Sequence, residues 1–144
     1  MQSAGNQRVW VRGYTGGLWG QWREIYHAAT VIAAVSQSGG VPTGGLIERG
    51  SNANGQFVRF ADGTQICRRA ITLAAGAETT WTFPAAFSSA PVVTGVVQAP
   101  VLSAVVLDGA ATTTGVALSA RDKADARRAD PAHLSAIGRW FEPV

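Results

Sequence analysis

Two Asx-Gly dipeptides, Asn54-Gly55 and Asp62-Gly63, punctuate the middle of the chain, and each is flanked by short alternating segments rich in β-branched and aromatic residues. Such dipeptides suit the two positive φ angles of a type I′ turn, whose twist matches a pair of antiparallel strands. Leu46-Ile-Glu-Arg-Gly-Ser51, Gln56-Phe-Val-Arg-Phe-Ala61 and Thr64 to Leu73 are therefore predicted to form a three-stranded meander. A two-residue loop at Asp62-Gly63 sets Ala61 opposite Thr64, Arg59 opposite Ile66 and Val58 opposite Cys67. One face then carries Phe57, Arg59, Ile66 and Arg68, the other Val58, Phe60, Gln65 and Cys67. Neither face sorts as apolar or polar, which predicts that both meet other chains or modules.

The flanking segments extend the β reading. Arg8-Val-Trp-Val-Arg-Gly-Tyr14, a turn at Thr15-Gly16-Gly17, and Leu18-Trp-Gly-Gln-Trp-Arg-Glu-Ile-Tyr26 form an N-terminal hairpin holding three of the five tryptophans. A lone hairpin is marginal in water, so these rings need a partner outside the segment. Ala28 to Val35 fits either two helical turns or an extended apolar strip, and Ser36 to Gly45 has linker chemistry. Beyond the meander, Thr79-Phe83, Pro91-Gln98, Val101-Leu107, Thr112-Ala120 and His133-Phe141 read as strands of a β-sandwich, with a turn at Asp108-Gly109. The predicted division is residues 1–27 as an attachment hairpin, 28–45 as a linker and 46–144 as meander plus sandwich.

Composition agrees with an all-β chain: 17 glycines, 15% charged residues, and an apolar set dominated by 25 alanines and by valine. Small side chains suit thin sheets and close chain-to-chain contacts. The charge of +3 comes from eleven Arg and one Lys dispersed through the strands, a pattern that argues against nucleic acid as partner. The lone Cys67 excludes an intrachain disulfide and reads as a small buried hydrophobe. No apolar run is long enough for a membrane helix, and Met1-Gln-Ser-Ala-Gly-Asn6 does not read as a signal peptide; the expectation is no membrane insertion and assembly in the cytoplasm.

Several stretches together resemble the tail-fibre and spike proteins of phages, prophages and gene-transfer agents. They are Val35-Ser-Gln-Ser-Gly-Gly-Val-Pro-Thr-Gly-Gly45, Ile47-Glu-Arg-Gly-Ser-Asn-Ala-Asn-Gly55, Arg59 to Cys67, and Trp81-Thr-Phe-Pro-Ala-Ala-Phe-Ser-Ser-Ala-Pro-Val-Val93 with a final Ile137-Gly-Arg-Trp140. Arg8-Val-Trp-Val-Arg12 and Trp19-Gly-Gln-Trp-Arg-Glu-Ile25 resemble the end of the knob module of pyocin-type fibres. The resemblance implies an intertwined homotrimer in the virion, joined to other tail, baseplate or head-fibre proteins through its N-terminal region, with C-terminal loops directed at the host. Candidate trimer or attachment contacts are Trp10, Trp19, Trp22, Val31, Ile32, Phe57, Phe60, Trp81 and Trp140.

Arg121 to Pro131 is the densest run of charge, and between two strands it is expected to be a loop. Arg121, Asp122, Lys123, Asp125, Arg127, Arg128 and Asp130 are the candidate contacts for a host-surface glycan, with Arg forks and carboxylates meeting sugar hydroxyls or acidic groups. A connector or cap that never touches the host is the alternative. Glycan cleavage is the least favoured reading, because it needs two carboxyls held at fixed separation with one pKa raised, and arginines around an Ala-spaced loop would keep these ionised. His27 and His133 lack neighbours at metal-ligand spacing, and no phosphate loop or nucleophile elbow is present, so neither metal, cofactor nor enzymatic activity is predicted.

Overall fold

A computed structural model describes residues 8–142. Its N-terminal hairpin has two parts: β1 (Val9–Val11) pairs with β4 (Arg23–Ile25), and β2 (Tyr14–Thr15) pairs with β3 (Leu18–Trp19) around Gly16-Gly17. Both glycines take positive φ, +61° and +82°, as a two-residue primed turn requires. The registers differ by one residue between the two halves, Tyr14 facing Trp19 but Val11 facing Arg23, so the returning strand bulges near Gly20, whose N–H donates to Gly13 O.

The segment predicted as a linker is folded. A single helical turn, α1 (Ala28–Val31), is capped by His27 and Thr30, which exchange side-chain and backbone hydrogen bonds. Ile32 then bridges Ile47 in parallel, so of the two conformations left open for Ala28 to Val35 the chain uses a turn of each. A second small hairpin, β5 (Gln37–Ser38) and β6 (Val41–Pro42), turns on Gly39-Gly40, both again at positive φ. Val35 N–H donates to Glu48 Oε2, Gly45 N–H to Ala34 O, and Arg8 to Thr43 O, tying this region to its neighbours.

The rest is a two-sheet sandwich. β7 (Ile47–Asn52), β8 (Gly55–Phe60) and β9 (Thr64–Thr72) form the expected meander, but they are not a separate layer. With β11 (Val92–Val97) and β15 (Pro131–Arg139) they make one five-stranded sheet, ordered β11-β15-β9-β8-β7. β10 (Thr79–Thr82), β12 (Ser103–Leu107), β13 (Gly115–Asp122) and β14 (Arg127–Arg128) make the other. Trp81, Val116, Leu118 and Ala120 of the second sheet pack against Cys67, Leu73, Leu134 and Ala136 of the first, with Phe83 and Phe87 closing the layer. Trp81, Phe83 and Phe87 stack edge to face at 5.0 and 5.1 Å between centroids.

The Asx-Gly turns form, but not as predicted. Asn54 and Asp62 keep negative φ, and only Gly55 and Gly63 are positive, at +129° and +94°. The Asn52 carboxamide accepts from Asn54 N–H at 2.8 Å and the Asp62 carboxylate from Thr64 N–H at 2.8 Å, so both side chains act as turn acceptors in ordinary, unprimed turns. At Asp62 the loop therefore holds three residues, Ala61 to Gly63, and Phe57 faces Cys67 while Arg59 faces Gln65. That single-residue shift corrects the predicted faces. Phe57, Arg59, Gln65 and Cys67 point into the sandwich; Gln56, Val58, Ile66 and Arg68 point outward. The inward face meets the chain's own second sheet, so its mixed character needs no other chain.

Candidate interaction surfaces

The inward polar groups explain themselves. Gln65 is fully buried, its amide donating to Ala85 O at 2.9 Å and Ala86 O at 3.2 Å while its carbonyl accepts from Arg59 Nε at 2.7 Å. Every strong hydrogen-bonding group it brings inside is used. The Arg59 guanidinium lies 5.3 Å from the Phe57 ring and 5.8 Å from that of Trp140, whose indole N–H donates to Phe60 O. Burial pushes the Cys67 thiol pKa up, as an inert core cysteine requires.

Trp81, named above as a candidate contact between chains, is completely buried within one chain, its indole donating to Asn54 O at 3.0 Å. It belongs to the core. Phe57, Phe60, Val31 and Trp140 are half-buried and Ile32 is exposed. The N-terminal aromatics behave differently: Trp10, Tyr14, Trp19 and Trp22 are each about half exposed or more, and Leu18 is 76% exposed. Tyr14 packs on Trp19, 4.7 Å between centroids, and the Arg12 guanidinium sits 4.3 Å from the Trp19 ring and 4.5 Å from that of Trp22. This hairpin thus shows solvent an aromatic surface that no part of the described sandwich covers.

The charged run is not the loop that was predicted. β13 extends through Asp122 and β14 pairs back at Ala120 and Arg121, leaving only residues 123–126 outside the ladder of a tight hairpin. Strand pairing overrode composition here because the Asp122 carboxylate accepts from both Ala124 and Ala126 N–H and Asp125 takes φ of +62°, closing a short turn. Its charges are largely spent internally. Arg121 donates to Asp108 at 2.9 Å and pairs with Asp125 at 3.1 Å, Arg127 approaches Asp108 at 3.5 Å, and Arg128 pairs with Asp130 at 2.8 Å. The Asp108 carboxyl is held below its usual range chiefly by the Arg121 hydrogen bond, that of Asp130 chiefly by Arg128. Lys123 and Asp125 are the charged side chains this hairpin leaves most open to solvent.

Sequence reasoning passed over a second polar surface. A groove of about 660 Å³ opens on the outward face of the five-stranded sheet beside the β7–β8 turn. Thr94, Ser135, Arg68 and Gln56 lie in one row across four strands by register, and Val96, His133 and Ala70 in the next. The available signal was the Arg68-Arg69 doublet inside a strand, but only the β9–β15–β11 pairing gathers its neighbours. Among the described residues, no three His, Cys, Asp or Glu side chains group as metal ligands.

A thin two-sheet sandwich with an exposed aromatic hairpin and a folded connector in front of it is a tail-fibre-like fold. Solved structures that share it are the C-terminal portion of the R2 pyocin fibre of P. aeruginosa, at 15% identity and a TM-score of 0.50 over 96% of this chain, and that of the R1 pyocin fibre, at 18% identity and 0.47 over 91%. The chain spans about half of each, 51%. No protein-family model matches the chain, and no curated protein matches it in sequence.

Proposed function

We propose that this chain is a structural protein of a virion fibre or spike that attaches the particle to a bacterial surface by binding polysaccharide. In this reading it works as a homotrimer, joined to other virion proteins through residues 8–27, and it is not an enzyme. The fold shared with the R2 pyocin fibre across nearly the whole chain carries the proposal. The exposed aromatic hairpin supports it, because rings of that size in water call for a protein partner. The hairpin at residues 121–130 is a contact region for glycan, offering Lys123 and Asp125 from a turn made rigid by Arg121, Asp122, Arg127, Arg128 and Asp130.

A connector or cap without host contact is the second reading, favoured by the internal pairing of those same charges. Labelled full-length protein, incubated with intact host cells, separates the two. Saturable attachment competed by extracted surface polysaccharide is expected; absence of attachment by a trimer of confirmed mass would leave the connector. Release of reducing sugar from that polysaccharide would overturn the non-enzymatic reading.

A further inference from the structure

We propose that the outward face of the five-stranded sheet, centred on the groove beside Arg68, is a binding site for an acidic saccharide, with carboxylated sugar as the ligand class. The inference rests on the attachment reading above for its biological meaning, and names both the ligand chemistry and a surface apart from the charged hairpin.

The charge of this face is one-sided. By register its outward positions are held by Thr94, Ser135, Arg68 and Gln56, by Val96, His133 and Ala70, by a more apolar row of Val92, Ile137, Ile66 and Val58 that ends on Arg49, and at the far end by Arg139, which pairs with Glu142. None of the chain's nine Asp and Glu residues occupies an outward strand position: Glu48 turns inward to Val35 N–H, Asp62 sits in a turn, Glu142 follows β15 and pairs with Arg139, and the rest lie on other strands or in loops. Five of the eleven arginines, Arg8, Arg121, Arg127, Arg128 and Arg139, sit in ion pairs. On this face, among the described residues, Arg49 and Arg68 have no ion pair, and neither does Arg69, the next residue along β9, which also lines the groove. Unpaired arginines beside a concave surface free of carboxylates attract anions.

The rest of the lining selects a sugar over another anion. Gln56, Thr94 and Ser135 present amide and hydroxyl groups in line with Arg68, suited to a row of sugar hydroxyls, while Val96 and Ala70 give the apolar floor that a pyranose face covers. A volume of about 660 Å³ accommodates a short oligosaccharide. Duplex DNA would demand a longer track of cations than the few arginines of this face provide.

Calorimetric titration of the full chain with oligogalacturonate tests this, with neutral maltohexaose as the matched control. Oligogalacturonate is expected to bind, more weakly as salt rises, while maltohexaose does not; Arg68→Gln should weaken binding about tenfold, one charge-assisted hydrogen bond. Arg23→Gln on the N-terminal hairpin should leave it unchanged. A thermal melt confirms that each variant is folded. Equal binding of both oligosaccharides, no binding of either, unaltered binding by the Arg68→Gln, Arg69→Gln pair, or tighter binding of duplex DNA would each overturn the proposal. Cell attachment that survives in the paired variant would sink the groove and spare the attachment reading. Oligogalacturonate binding without cell attachment would do the reverse.

Discussion

The indole of Trp81 joins the core to a turn: its ring fills the space between the sheets, and its N–H caps the carbonyl of Asn54. Trp81→Ala removes both and is expected to cost about 3–5 kcal/mol in urea denaturation, enough to unfold much of a marginal domain. Cys67 should resist a thiol reagent at pH 8 in the native state and react at once in denaturant, since burial both blocks it and raises its pKa. Asp108 and Asp130 set the acid limit. Their folded pKa values lie below the unfolded ones, so the stability they contribute is complete above a pH of about 4 and is lost as pH falls through the lower folded values. Urea midpoints followed by tryptophan fluorescence should therefore drop below that pH, and the drop should shrink in Asp108→Asn, which also starts lower because Arg121 and Arg127 lose their counter-charge.

At the scale of elements, the turns show how much rests on a few backbone angles. The Asx-Gly dipeptides marked both hairpins in the sequence, and the strands beside them lie within a residue or two of where alternation put them. Which turn type forms was not legible there, because Asn and Asp serve equally as positive-φ residues or as side-chain acceptors, and that choice moves the register by one. Gly55 shows the constraint: at φ of +129°, a Cβ there would lie 2.3 Å from Arg68 O. Gly55→Ala is expected to cost about 1–3 kcal/mol by strain alone, read as a lower denaturation midpoint. The N-terminal hairpin makes the opposite case. Its strands and its Gly16-Gly17 turn were legible, and its removal should leave the sandwich's melting temperature nearly unchanged while abolishing self-association, as sedimentation velocity would show.

Over the whole molecule, the sandwich joins strands distant in sequence: β15 runs between β9 and β11, and β13 between β10 and β12. Sedimentation equilibrium of the full chain should return three times the 15.0 kDa chain mass, and Trp10, Trp19 and Trp22 changed together to Ser should shift it toward monomer. The sequence by itself determined that the chain is all-β, where most strands begin and end, and that large aromatics gather at its N-terminal end. These are local properties, set by β-branched and aromatic alternation and by turn residues acting over a few positions. Only the tertiary structure decided that the meander shares a sheet with β15 and β11, that Trp81 is core, that the charged run pairs with itself and with the distant Asp108, and that Arg68 lines up with Ser135 and Thr94 on a face whose strands present no carboxylate. Each of those depends on which distant strands pair and in what register, and register is settled by the burial gained across the two sheets together, a quantity no short window of sequence contains.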